Sequence, residues 1–114
     1  MPRNMSFSLT TKQVRKGTKT ETRRDGWWNL KPGEIVNACV KCMGLKKGEK
    51  IEVIRQIRIV RTDRVPLCII TEEQVFAEGF PNMTPNEFID FWLRSHGKRG
   101  YVDWMVNRIR FEYP

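Results

Sequence analysis

At 114 residues the chain is long enough for one hydrophobic core and too short for two, so residues 1–114 are expected to form a single domain. Apolar residues make up 39% of it, with four Trp and six Phe, which excludes a disordered polyelectrolyte. Lys plus Arg total 21 against 13 Asp plus Glu, a formal charge of +8 that draws polyanions at long range, nucleic acid first among them. Charge kept only for solubility would produce the same count. No run of about 18 apolar residues is present, and Met1 to Leu9 lacks the apolar core of a signal peptide, so no membrane association and a cytoplasmic location are expected. An odd set of cysteines, Cys39, Cys42 and Cys68, argues for reduced thiols rather than a disulfide framework.

In chain order, Phe7 and Leu9 alternate with Ser6 and Ser8 as in a short strand, and Thr10 opens a helical stretch that stops at Gly17. Thr18 to Arg24 is rich in hydroxyls and charge without a core face. It reads as an extended, partly exposed segment, followed by the Asp25-Gly26 turn and the Trp27-Trp28 pair. After the Lys31-Pro32-Gly33 turn, Val36, Ala38, Val40 and Cys42 share one strand face, with Asn37, Cys39 and Lys41 on the other. From Ile51 the apolar side chains Ile51, Val53, Ile57 and Ile59 recur, interrupted by Arg55, where a bulge would bend the sheet.

Two capping boxes follow, Thr71 to Gln74 and Thr84 to Glu87, the second with Pro85 at the first helical position. Phe88, Ile89, Trp92 and Leu93 form the core face of the second helix, which ends near His96 and Gly97. Asn107 to Tyr113 alternates as a last strand, with Ile109, Phe111 and Tyr113 inward. Helices are therefore expected near 10–16, 71–78 and 84–96, and the class is α+β.

The eight residues from Gly17 to Arg24 hold three positive charges and three hydroxyls with no hydrophobic periodicity, which marks a place where something polar is held. In an extended chain Lys19, Glu21 and Arg23 point one way and Thr20, Thr22 and Arg24 the other, so Lys19 and Thr22 need a kink to converge. Basic residues outside this stretch (Lys12, Arg15 and Lys16; Arg55, Arg58, Arg61 and Arg64; Lys98, Arg99, Arg108 and Arg110) would line a phosphate groove if they converged. Trp27 and Trp28 would offer stacking surfaces to unpaired bases, with at least one of the two serving the core instead. Cys39-x-x-Cys42, with Cys68 and His96, invites a metal reading. The strand alternation sends the two thiols to opposite sides, and no second paired motif exists, so no metal and no cofactor are expected.

Gly17, Lys19 and Arg24 match the Gly-x-Lys-x-x-x-x-Arg signature of ASCH domains, and in this the chain resembles that family. The resemblance covers most of the chain: the helix before the signature, the Leu30 to Gly33 turn into a strand, the helix start at Ile70-Thr71-Glu72, the Glu78-Gly79-Phe80 segment and the closing strand. It implies a PUA-like bent β-barrel of five or six strands with two to three short helices, its mouth holding the site. Many ASCH domains carry glutamate where this chain has Thr22. Threonine there is similar to the family's small bacterial amidohydrolases, which remove the acyl group of acetylcytidine. Carried over, that similarity implies Thr22 as nucleophile, Lys19 as its base, Glu78 as acid or carbonyl orienter and Arg24 as substrate anchor. Lys19 would need a lowered pKa for the task, or it is an ordinary ammonium gripping phosphate.

The expected function is that of a nucleic-acid-binding domain, RNA before DNA, using Lys12, Lys16, Lys19, Arg23, Arg24, Trp27, Arg55 and Arg58. The alternative is a hydrolase, either the amidohydrolase of a modified nucleoside or a ribonuclease in which Lys19 and Arg24 steady a phosphorane and His96 serves as base. A regulatory protein for an acidic partner would draw on the same charges.

Overall fold

The computed structural model describes residues 2–114, in the order β1 (Arg3–Ser6), α1 (Thr11–Lys16), β2 (Glu21–Arg24), β3 (Ile35–Cys39), β4 (Val53–Pro66), α2 (Glu72–Ala77), α3 (Pro85–Ser95) and β5 (Met105–Glu112). A single 3-10 turn, Leu67–Ile69, joins β4 to α2 and has no forerunner in the sequence reading. The strands form one curled sheet in the order β1-β3-β4-β5-β2, parallel only between β1 and β3. The class is α+β, a PUA-like half-barrel of five strands with three short helices.

Curvature comes from β4. Its pairing shifts by one residue against β3, leaving Ile54 unopposed beside Arg55, and again against β5, leaving Val60 unopposed. Each extra residue bends the strand and inverts its side-chain parity, which is how a single strand of 14 residues serves two sheet directions. The first inversion also overturns part of the expected core: Ile57 and Ile59 are buried, whereas Ile51 and Val53 are exposed. The first strand likewise ends at Ser6, before Phe7, and Leu9 is exposed.

Burial is divided between the two faces of the sheet. Inside the curl, Met5, Val36, Ile57, Ile109 and Phe111 form one cluster with Phe7 and Val14. On the outer face, Val106 of β5 packs with Leu67, Val75, Phe88, Trp92 and Leu93 under α2 and α3. Both helices start where their caps dictate: the Thr71 and Thr84 hydroxyls accept from the N–H groups of Gln74 and Glu87, and those side chains accept in return from the cap N–H groups. Helix α1 closes on Gly17 in the left-handed conformation (φ 78°), which a side chain would strain. No helix among the described residues is long and apolar enough to cross a membrane.

Candidate functional site at the open seam of the sheet

Strands β1 and β2 are the two edges of the sheet, and among the described residues no ladder joins them. The Arg24 side chain spans the opening instead. Its Nη2 donates to the Ser6 carbonyl at 2.6 Å and its Nε to Thr22 Oγ1 at 3.0 Å, and its guanidinium lies 4.7 Å from the Phe7 ring centre. Beside this bridge is a cleft of about 260 Å³, lined by the chain after β1, by β2, by Glu78 and Phe80, and by the last two turns of α3.

The free edge of β2 explains how Lys19 and Thr22 come to the same cleft. Thr22 and Arg24 face the inside of the curl, while Glu21 and Arg23 face outward under the helices, as alternation requires. With no neighbouring strand on that edge, groups from both faces reach the rim. Lys19 precedes the strand, its backbone fixed by a hydrogen bond from its N–H to the Gln13 carbonyl and by one from the Tyr113 hydroxyl to its own carbonyl. Gln13 also donates to the Gly79 carbonyl at 3.0 Å, and Gly79 (φ 101°) leaves no room for a Cβ against it. One helix thereby sets the distance between Lys19 and Glu78.

The segment is partly exposed as expected, at Thr18 and Thr20, but the side chains of the site are not: Lys19, Thr22 and Arg23, with Glu78 opposite, each expose 4% or less. Lys19 Nζ donates to the Glu78 carbonyl and, at 3.1 Å, to Glu78 Oε1. Arg23 Nη1 donates to Glu78 Oε2 at 3.0 Å and lies 3.5 Å from Glu21 Oε1, which is itself 3.4 Å from Arg108. Arg23 Nη2 donates at 3.1 Å to Gln74 Oε1, the same oxygen that caps α2 through the Thr71 N–H. Glu78 is thus not a bare helix-end carboxylate, and Arg23, expected to contact phosphate or a base edge, is buried with its guanidinium held by Glu78 and Gln74. Two of its three nitrogens are committed, and Nε is buried without a hydrogen-bond partner among the described residues.

Burial pushes the Lys19 ammonium below its ordinary pKa against the opposing pull of Glu78, with Arg24 and Arg23 adding to the lowering. Burial likewise lowers Arg24 to about 10. Three cations thus face two carboxylates, Glu78 and Glu21, so the cleft keeps an excess of positive charge.

The walls were not read from the sequence as part of a site. Phe7, Phe80, Phe91 and Trp92 give the cleft aromatic sides, although Trp92 also serves the core as expected. His96 stacks on Trp92 with ring centres 3.7 Å apart and planes 11° from parallel. Its Nδ1 lies 2.8 Å from the Trp92 carbonyl, which can only accept, so Nδ1 is the donor of that hydrogen bond. The only signal for these residues was helical spacing, which is identical for core and for wall.

The other expected contacts lie elsewhere. Lys12 and Lys16 are exposed on α1, Arg58 is exposed on the outside of β4 beside Glu112 at 3.4 Å, and Arg55 is half-buried over the Tyr113 ring at 4.2 Å. Trp27 packs against the inner cluster under the Arg3 guanidinium, so the exposed indole is that of Trp28. The opposite-face expectation for Cys39 and Cys42 does not apply, because β3 ends at Cys39 and the alternation stops before Val40 and Cys42; burial pushes Cys39 up to about 11, with Cys42 adding to the rise. All three cysteines are free, Cys68 is exposed on the 3-10 turn, and His96 is at the seam. Among the described residues no three His, Cys, Asp or Glu side chains cluster as a metal site would need.

Solved structures bear out the fold. The chain is similar to an ASCH domain from Lactobacillus crispatus JV V101 (TM-score 0.64, 13% identity), covering 97% of this chain and 78% of that one. It is similar also to protein EF3133 from Enterococcus faecalis V583, of the DUF984 family (TM-score 0.66, 19% identity), covering 99% of this chain and 80% of that one. No protein-family model and no curated protein matches it in sequence. At these identities the likeness is one of fold: the chain has an ASCH-like fold.

Proposed function

We propose that the chain is a nucleic-acid-binding domain that takes one unpaired base of an RNA strand into the seam cleft. The observation that carries this reading is the pairing of aromatic walls, Phe7, Phe80, Phe91 and Trp92, with the cations Lys19, Arg23 and Arg24 on the same cleft. Aromatic side chains stack an unpaired base and neighbouring cations attract its phosphate, so the two together make a place for one nucleotide. Ligand pockets usually run to roughly 300–1,000 Å³. A cleft of about 260 Å³ suits one planar group and leaves the remaining strand to the surface charges.

The test is anisotropy of labelled single-stranded RNA and duplex DNA over a salt series. Preference for the single strand, a log–log salt slope of about 0.7 per phosphate contacted, and displacement by free cytidine are expected. Equal or tighter binding of the duplex would sink the reading, because a paired base cannot enter the cleft.

A second reading, hydrolysis of an acylated cytidine, is favoured by one specific arrangement: a buried lysine of lowered pKa against Glu78, with Thr22 Oγ1 on the wall of the same cleft. Thr22 Oγ1 already accepts from Arg24, so its own proton is free to leave. Neutral Lys19 takes that proton as the oxygen attacks the acyl carbon, the C–N bond then breaks, and the same proton returns to the departing amine. Water cleaves the acyl-threonine. Turnover of acetylcytidine that rises with pH and vanishes in Thr22→Ala, with cytidine binding retained, is the expected signature; binding without turnover in the wild type removes this reading and leaves the first.

A further inference from the structure

A second cleft, of about 450 Å³, opens where β2 ends, lined by Asp25, Trp28, Arg64, Asp103, Trp104 and Met105. Its lining is two indoles with one guanidinium, Arg64, and two carboxylates, Asp25 and Asp103, and Lys98 stands against one of the indoles. The Arg64 guanidinium is 5.4 Å from the Trp28 ring centre and the Lys98 ammonium 4.3 Å from that of Trp104. The Trp104 indole is held in place by its N–H, which donates to Asp25 Oδ1 at 3.3 Å. Trp28 is 52% exposed, a large indole left in water.

That exposure is built rather than incidental. Trp27 has φ 61°, a left-handed conformation that a bulky side chain adopts only at a cost. The surroundings over-determine it: the buried Asn107 side chain donates to both the Gly26 and Trp27 carbonyls, at 3.3 and 2.9 Å, and Arg3 covers the Trp27 ring. The turn so held sends one tryptophan to the core and the next into the second cleft. Fold stability alone gives no reason to spend strain on displaying an indole.

The two clefts are set by adjacent positions of the same elements. Arg24 lines the first and Asp25 the second; His96 lines the first, and Lys98, two residues on, covers the Trp104 face of the second. Two indoles beside Arg64 and Lys98 suit a stacked base, which is how unpaired strands are commonly held, with the carboxylates of Asp25 and Asp103 left to its exocyclic amine rather than its phosphate.

We infer that the second cleft is a stacking subsite for the nucleotide next to the one in the seam, so that the ligand is a single-stranded RNA segment and not a free nucleoside. The inference rests on the base-binding reading of the seam. It is tested by titrating cytidine and the tetranucleotide CCCC against wild type, Trp28→Ala and Arg64→Glu. Both substitutions are at exposed side chains, and thermal melting verifies that the variants are folded.

The wild type should bind CCCC more tightly than cytidine. Trp28→Ala should weaken CCCC by roughly five- to 150-fold, the worth of one stacked base, and leave cytidine unchanged; Arg64→Glu should act in the same direction. Equal affinity of the wild type for cytidine and CCCC, or variants that bind CCCC as the wild type does, would overturn the subsite while leaving the seam reading intact. Equal losses for both ligands in Trp28→Ala would make Trp28 a structural support of the seam and also overturn it. Failure of the wild type to bind either ligand removes both readings.

Discussion

The buried seam and the outer face of β4 use the same residue type to opposite ends. Arg23, nearly inaccessible, has its fork divided between Glu78 and Gln74, whereas Arg58 stands in solvent beside Glu112. Around Arg23 every charge depends on another, because a charge without a partner in low dielectric costs several kcal/mol. Around Arg58 water screens the pair, and exposed ion pairs contribute about 0–1 kcal/mol. Geometry is therefore stored at the seam and long-range attraction on the outer face. Three substitutions that step outward from one region to the other should show effects that fall in the same order.

The largest effect belongs to Glu78→Ala, which leaves Lys19 and Arg23 facing one another without the carboxylate between them. Breaking a buried pair this way costs about 3–5 kcal/mol. Domains of this size have about 5–15 kcal/mol to lose, and a fall in Tm on the order of 10–20 °C is expected by calorimetry. Glu78→Gln, which keeps the hydrogen-bonding shape without the charge, should lie between the variant and the wild type. If Glu78→Ala melted within 2 °C or so of the wild type, the seam would be a hydrated pocket and not the buried cluster on which the base-binding reading depends.

Tyr113 is intermediate in position and in effect. Its half-buried hydroxyl donates to the Lys19 carbonyl, and burial raises its pKa to about 12 from an ordinary 10, although Arg55 above the ring opposes the shift. The unfolded chain therefore releases this proton first. Its stabilising effect is complete below about pH 10 and is lost as the pH rises toward 12. Tyr113→Phe should cost about 1 kcal/mol at neutral pH, the net worth of one hydrogen bond, and should flatten the alkaline fall in stability between those two values. An unchanged alkaline limb in urea melts would mean that Tyr113 is as free in the folded chain as in the unfolded one.

What could be read from the sequence divides along a similar line. The caps of α2 and α3 are local chemistry, a hydroxyl and a carboxamide or carboxylate three residues apart, and they stand where Thr71 and Thr84 place them. The alternation of β5 is equally local, since Ile109 and Phe111 face the inner cluster whatever the rest of the chain does. The ASCH resemblance pointed to the residues now found around the seam, Lys19, Thr22, Arg24 and Glu78.

Burial of the charged segment could not be read, because Arg23 and Glu78 neutralise one another across 55 positions of sequence and each alone looks like a surface residue. The exposure of Ile51 and Val53 was hidden for a related reason: one unopposed residue, Ile54, reverses the parity on which the pattern depends. The end of β3 at Cys39 was hidden as well, because Val40 and Cys42 continue the apolar alternation beyond the strand. Periodicity carries over a few residues, and whatever is decided by a bulge or by a distant partner lies beyond it.

Arg58→Ser should have the smallest effect on the fold and for that reason is the sharpest probe of the outer face. The pair with Glu112 is long, 3.4 Å, with both side chains about half exposed, so stability should change by less than about 0.5 kcal/mol. If Arg58 contributes only attraction to the strand, RNA affinity should fall modestly at low salt and converge with the wild type as salt rises. The salt slope should drop by about 0.7, the share of one phosphate on a single strand. A slope identical to the wild type would place the RNA path away from Arg58, toward the far end of β4 where Arg64 lies against Trp28 and Lys98 against Trp104, and would leave Arg58 with no part in binding beyond the net charge it adds.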